Sequence, residues 1–182
     1  MPVIESDIVY MLTTKLGSAG YTTASTPAAS LGKYVSTTPV DQVTTLQNVF
    51  RQITSAEALA GIVLYRAVAI LNGNASEAWG TSSVKAWYET GQTGTGVTLS
   101  MGADPAADSD KDSASAQGAE IADEETAPAG VTFTNPTDEA GGEEIDPIAA
   151  DSVKILWLRA VIAPGTSLSA PHEFQLAVRK VA

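Results

Sequence analysis

Ser152-Val-Lys-Ile-Leu-Trp-Leu-Arg-Ala-Val-Ile162 alternates along its length. Leu156, Leu158, Ala160 and Ile162 fall on one side of an extended chain; Ile155, Trp157, Arg159 and Val161 fall on the other. A period of two is strand spacing, since a helix brings every third or fourth residue to one face. Residues 172–181 repeat the pattern, with Phe174, Leu176 and Val178 opposite Glu173, Gln175, Ala177 and Arg179. Pro164-Gly165 and a Ser/Thr-rich linker separate the two stretches, which predicts a hairpin.

Further strands are placed outward from this pair. Residues 62–71 are apolar on both faces, as a central strand is. Residues 84–89 alternate around Trp87, and Val97, Leu99 and Met101 alternate with Thr98 and Ser100. Residues 131–134 follow the turn Pro128-Ala-Gly130, and residues 46–53 open the set. About seven short strands between turn-rich loops predict an all-β, immunoglobulin-like β-sandwich over residues 43–182. Helix signals are few: one turn at 55–59 capped by Ser55, and a second short candidate at 7–16. Residues 1–42 hold Gly17-Ser-Ala-Gly20, Thr22-Thr-Ala-Ser-Thr-Pro27 and Ser36-Thr-Thr-Pro39, with no sustained period. They read as an extended N-terminal arm that packs on its own sandwich or on a neighbour through Ile8, Tyr10, Leu12, Tyr21, Leu31 and Tyr34, with a loose tail as the alternative.

The 182 residues suffice for one domain with a long arm, and 44% hydrophobic content allows a packed core. Cysteine is absent and histidine occurs once, at His172. Disulfides, thiolate sites, cysteine nucleophiles and histidine-rich metal sites are thereby excluded. Acidic residues outnumber basic ones 21 to 10, for a net charge of −11, which argues against nucleic acid as partner. The start, Met1-Pro-Val-Ile-Glu-Ser-Asp7, has no basic n-region or apolar core, so no secretory signal is expected and synthesis is placed in a cytoplasm. Residues 61–71, the longest nearly apolar stretch, contain Arg66 and are too short for a membrane span.

The charge is uneven. Residues 104–151 hold 14 acidic residues and only Lys111 as a base, hence −13; the remainder has 9 basic and 7 acidic residues, hence +2. This segment reads as two solvated acidic loops around one apolar island, Val131-Thr-Phe133. Asp108, Asp110 and Asp112 are weak calcium candidates, because alternate carboxylates can wrap that ion. An EF-hand needs Gly at its sixth position and Glu at its twelfth; here stand Ser113 and Ala119, with Glu120 one place late and Lys111 repelling a cation. Gly91, Gly94 and Gly96 lead into a strand and read as a turn. Asp138/Glu139 and Glu143/Glu144 lie in polar sequence without an apolar pocket to raise a pKa. Trp87 and Trp157 are expected in the core, with Arg159 stacked on Trp157 or paired with an acidic group, while Trp79 is a candidate sugar platform. His172 reads as a strand-edge residue. No catalytic residue, cofactor or enzymatic activity is expected.

Several stretches carry a resemblance. Ser6-Asp-Ile-Val-Tyr-Met-Leu12, Ala29-Ser-Leu-Gly32, Asn48-Val-Phe-Arg-Gln-Ile-Thr-Ser-Ala-Glu-Ala-Leu-Ala-Gly61 and Tyr65-Arg66 come first. Trp157-Leu-Arg159 and Ala163-Pro-Gly-Thr166 close the series. In this order the pieces resemble structural proteins of tailed bacteriophages, although Val49-Phe-Arg stands where that group has Leu-Phe-Asp, and the acidic loops match nothing in it. The resemblance implies a virion component, specifically a capsid decoration (cement) protein on the outer surface of the head. Its partner would be the major capsid protein, with homo-oligomers on the capsid and no nucleic acid or membrane contact. The arm, through Tyr10, Leu12, Tyr21, Leu31 and Tyr34, would lie across neighbouring capsid subunits. The alternatives are a neck or tail component at low copy number, and a host- or glycan-binding adhesion module using Trp79 and the loop tips.

Overall fold

The computed structural model describes residues 2–17, 20–41, 48–91, 93–167 and 172–181. The chain is an all-β sandwich of two antiparallel sheets. Strands β1 (Ile8–Thr14), β2 (Tyr34–Pro39), β3 (Ile62–Asn72), β5 (Thr93–Gly94), β6 (Val97–Ala103), β7 (Ser109–Asp110) and β9 (Ser152–Ile162) form the large sheet. Its order is β2-β1-β3-β9-β6-β5, and β7 adds to β9 beyond the end of β6. Strands β4 (Val84–Thr90), β8 (Glu143–Ile145) and β10 (Gln175–Lys180) form the small sheet, in the order β10-β4-β8.

The β3/β9 pair is the axis of the fold, in register from Ile62 opposite Ile162 to Asn72 opposite Ser152. Both strands are apolar on both faces, so the large sheet must be covered twice. Val68, Ile70, Leu156 and Leu158 face the small sheet and pack on Val84, Ala86, Tyr88 and Ile145. Ala67, Ala69, Ile155 and Trp157 face the other way and pack with Met11, Leu31, Val35 and Ile121. The acidic segment supplies much of this second cover, so the molecule has three layers.

Several sequence expectations need correction. Residues 7–16 are not helical but contain β1, which pairs with β3 from Ile8 opposite Asn72 to Leu12 opposite Val68. Both faces of this stretch are apolar, which blurs its period. The β-branched Ile8, Val9, Thr13 and Thr14 fit a strand, where they pack without the rotamer restriction a helix imposes. Residues 152–162 and 172–181 hold strands but make no hairpin, because β3 and β6 occupy both edges of β9 and β10 joins β4 in the other sheet. Residues 131–134 contribute only the bridge between Met101 and Thr134, and residues 48–53 are not strand; residues 46–47 lie outside the described residues. The short helix α1 (Ser55–Ala60) is present but capped by Thr54 rather than Ser55. Glu57 closes a capping box on Thr54, and Gly61 ends the helix at φ 81°.

Candidate functional site

The residues assigned to a partner-binding arm belong to the fold itself. Leu12, Leu31 and Tyr34 are 3%, 8% and 6% exposed. Tyr10 packs into the inter-sheet core, and burial pushes its phenol up to about 12. Tyr21, at φ 53°, packs against the opposite core. Residues 8–14 and 34–39 are thus sheet strands, not an arm free to cross a neighbour. The free edge of β2 is itself occupied: the Tyr21 N–H donates to the Val35 carbonyl at 2.9 Å, and Gln117 accepts from the Val35 N–H at 2.7 Å.

The acidic segment is also more than solvated loop. Asp104, Gln117 and Ile121 are each 2% exposed. Asp104 directly follows β6 and turns its carboxylate inward. Oδ2 accepts from Trp157 Nε1 and from the Ala119 N–H, both at 2.8 Å, and Oδ1 accepts from the Ala106 N–H at 2.9 Å. Gln117 Nε2 donates to the carbonyls of Asp110 and Lys111. Main-chain bonds from Lys33 to Ala119, Gln117 to Lys33 and Ile121 to Leu31 lay residues 117–121 along residues 31–33. Gly32 is required there: its φ is +89°, and an added Cβ would stand 2.0 Å from the Ala119 carbonyl oxygen.

Cations of the neutral scaffold hold this segment down. Glu124 binds both Arg51 and Arg66. Arg51 also grips Glu57 at 2.6 and 2.9 Å. That guanidinium, with the Thr54 N–H and hydroxyl, pulls the Glu57 carboxyl down to about 2. Arg66 is buried between the sheets, 1% exposed, and burial lowers its pKa while Glu124 opposes the shift. Its Nε has no partner among the described residues. Lys15 donates to the carbonyls of Ile121 and Ala122, and Lys33 pairs with Glu120 at 3.1 Å. Lys85 reaches the Ala140 carbonyl, Lys154 that of Ala106, and Arg179 reaches Glu139. Arg159 stacks on Phe133 at 4.8 Å and bonds Ser100, so the expected stack on Trp157 is not formed. Eight cations outside the segment therefore touch it.

The candidates for chemistry are dispersed. Asp108 accepts from the Ala149 N–H, Asp110 from the Asp112 N–H, and Asp112 pairs with Lys111, which also binds Asp151 at 2.6 Å. Asp151 and then Asp112 raise the Lys111 pKa, so this side chain is held charged. No group of three or more His, Asp or Glu side chains suited to a metal ion occurs among the described residues. Glu143 accepts from the Ala103 N–H and the Thr134 hydroxyl, and Asp138 accepts from the Gly141 N–H. These are loop-closing contacts. His172 Nε2 lies 2.6 Å from the Gly91 carbonyl oxygen. Trp87 and Trp157 are buried, as expected of core residues. Trp79 is 8% exposed and offers no sugar platform. A cleft of about 280 Å³ lies beside Asp104, Glu143, Glu144, Asp146 and Lys154. Sequence reading missed Asp104, Gln117, Glu124 and the buried Lys154; each is an ordinary polar residue until distant segments enclose it.

Among the described residues, no helix is long and apolar enough to cross a membrane. Comparison with protein-family models, with curated proteins and with solved structures finds no match.

Proposed function

We propose that this chain is a non-enzymatic structural protein of a tailed-bacteriophage virion, a capsid decoration (cement) protein that binds the major capsid protein on the outside of the head. One observation supports this reading above the others: the separate stretches that resemble that group touch one another. Tyr65 and Arg66 pair across the sheet with Arg159 and Leu158 of Trp157-Leu-Arg159, and a Cβ on Gly32, from Ala29-Ser-Leu-Gly32, would meet Trp157 at 2.8 Å. Arg51, from residues 48–61, and Arg66, from Tyr65-Arg66, are joined through Glu124 of the acidic segment. The Gly165 N–H, from Ala163-Pro-Gly-Thr166, donates to the Ala58 carbonyl at 2.9 Å, and a Cβ on Gly61 would meet Pro164 at 2.9 Å.

With the arm folded into the sheet, attachment takes place through preformed surface. It escapes the entropy of ordering a free segment. The outward carboxylates of residues 104–151 suit the solvent side of a densely coated particle, where like charge opposes self-association. The test is reconstitution. Heads assembled without this protein should bind the purified chain saturably and then withstand a higher temperature before rupture. Absence of binding at micromolar concentration would overturn the reading.

A further inference from the structure

The two faces of the large sheet are closed by different material. No residue of 104–133 belongs to the inter-sheet core. The opposite face is closed by Ala119, Ile121, Val131 and Phe133 of that segment together with Tyr21 and Leu31, and the segment's only strand is the two-residue β7. Both ends of this segment are pinned to one strand. Asp104 follows β6 directly, and Thr134 exchanges backbone hydrogen bonds with Met101 of β6 at 2.8 and 2.9 Å. A loop whose ends are already joined can lift without pulling on the rest.

We propose that residues 104–133 are a releasable cover, a third layer that opens as one unit, taking the two-residue β7 with it, while the rest of the two-sheet sandwich stays folded. Its apolar hold is small for its length: Ile121 and Pro128 are buried, whereas Ala119, Val131 and Phe133 are only half-buried. Its retention rests on discrete polar anchors: Asp104 under Trp157, the short β7 on β9, Lys111 on Asp151, Gln117 on β2, and Glu124 between Arg51 and Arg66. Glu124 is the latch among them. Its backbone carbonyl accepts from the Tyr65 N–H of β3 at 2.7 Å, and its carboxylate ties the cover to a guanidinium buried in the sandwich. Opening exposes the indole of Trp157 and the small apolar face beside it.

Hydrogen exchange of the full-length protein against denaturant tests this. The amides of Gln117, Ala119 and Ile121 should share one opening with its own denaturant dependence, below the free energy at which Ala69 and Leu156 exchange. Glu124→Gln should speed the first set roughly tenfold, the effect of losing a charged hydrogen bond, and leave the second set unchanged. The proposal is overturned if the cover amides exchange with the core amides. It is equally overturned if they exchange one by one with no denaturant dependence, or if Glu124→Gln accelerates both sets alike. Should Glu124→Gln not fold, the wild-type profile alone decides.

Discussion

Asp104 shows how much one buried side chain can organise. Its carboxylate receives an indole N–H and two backbone N–H groups, so Asp104→Ala leaves three donors without partners. An orphaned buried donor costs roughly 1–3 kcal/mol, and the predicted loss is about 3 kcal/mol or more in urea unfolding. Asp104→Asn keeps an acceptor oxygen and should lose less; equal losses would show that charge rather than acceptance matters. Glu57 gives a pH prediction. Its folded value is depressed to about 2 from an ordinary 4.5, by Arg51 first and then Thr54. Its stabilising contribution is therefore complete above about 4.5 and lost as pH falls towards 2. The melting temperatures of the wild type and Glu57→Gln should differ at pH 6 and converge near pH 2; a constant gap would contradict the assignment. The Thr54/Glu57 spacing is a capping box, yet the sequence reading sets the cap one residue late, at Ser55. The Asp104–Trp157 contact is not visible in sequence, because its partners stand 53 positions apart.

Elements were legible where their signal is local. Alternation in residues 84–89, 97–101 and 152–162 marks β4, β6 and β9, and the unbroken apolar run of 62–71 marks β3, since these signals belong to each strand alone. Pairing is not local. Nothing in residues 164–181 indicates that β10 must leave the sheet of β9, which follows from both edges of β9 being filled. The N-terminal segment failed for a related reason: β1 is buried on both sides and β2 carries small polar residues, so neither shows a clean amphipathic face. The junction between β2 and the cover offers a direct check. Gly32→Ala places a methyl group against the Ala119 carbonyl at a left-handed φ. The backbone penalty alone is roughly 1–2 kcal/mol, so the predicted destabilisation is at least that, read from the shift in urea midpoint. A neutral variant would mean that residues 117–121 do not lie along residues 31–33.

At the scale of the whole molecule, charge and layering are one arrangement. The segment carrying −13 is held by a scaffold carrying +2, and eight of the scaffold's cations touch it. The acidic bias was plain in composition. That it forms a layer was not, because Ile121, Val131 and Phe133 are too sparse to produce a period. A third layer also explains why the chain can do without a protruding arm: its two apolar sheet faces are both closed by its own residues. Such a self-contained, acid-coated body suits a component that adds to a preassembled lattice. The most direct test is the copy number in purified particles, measured by densitometry against the major capsid protein. The account predicts on the order of one copy per capsid subunit, as repeated attachment to every lattice position requires. A ratio of a few per cent would contradict it and place the chain at a vertex, neck or tail.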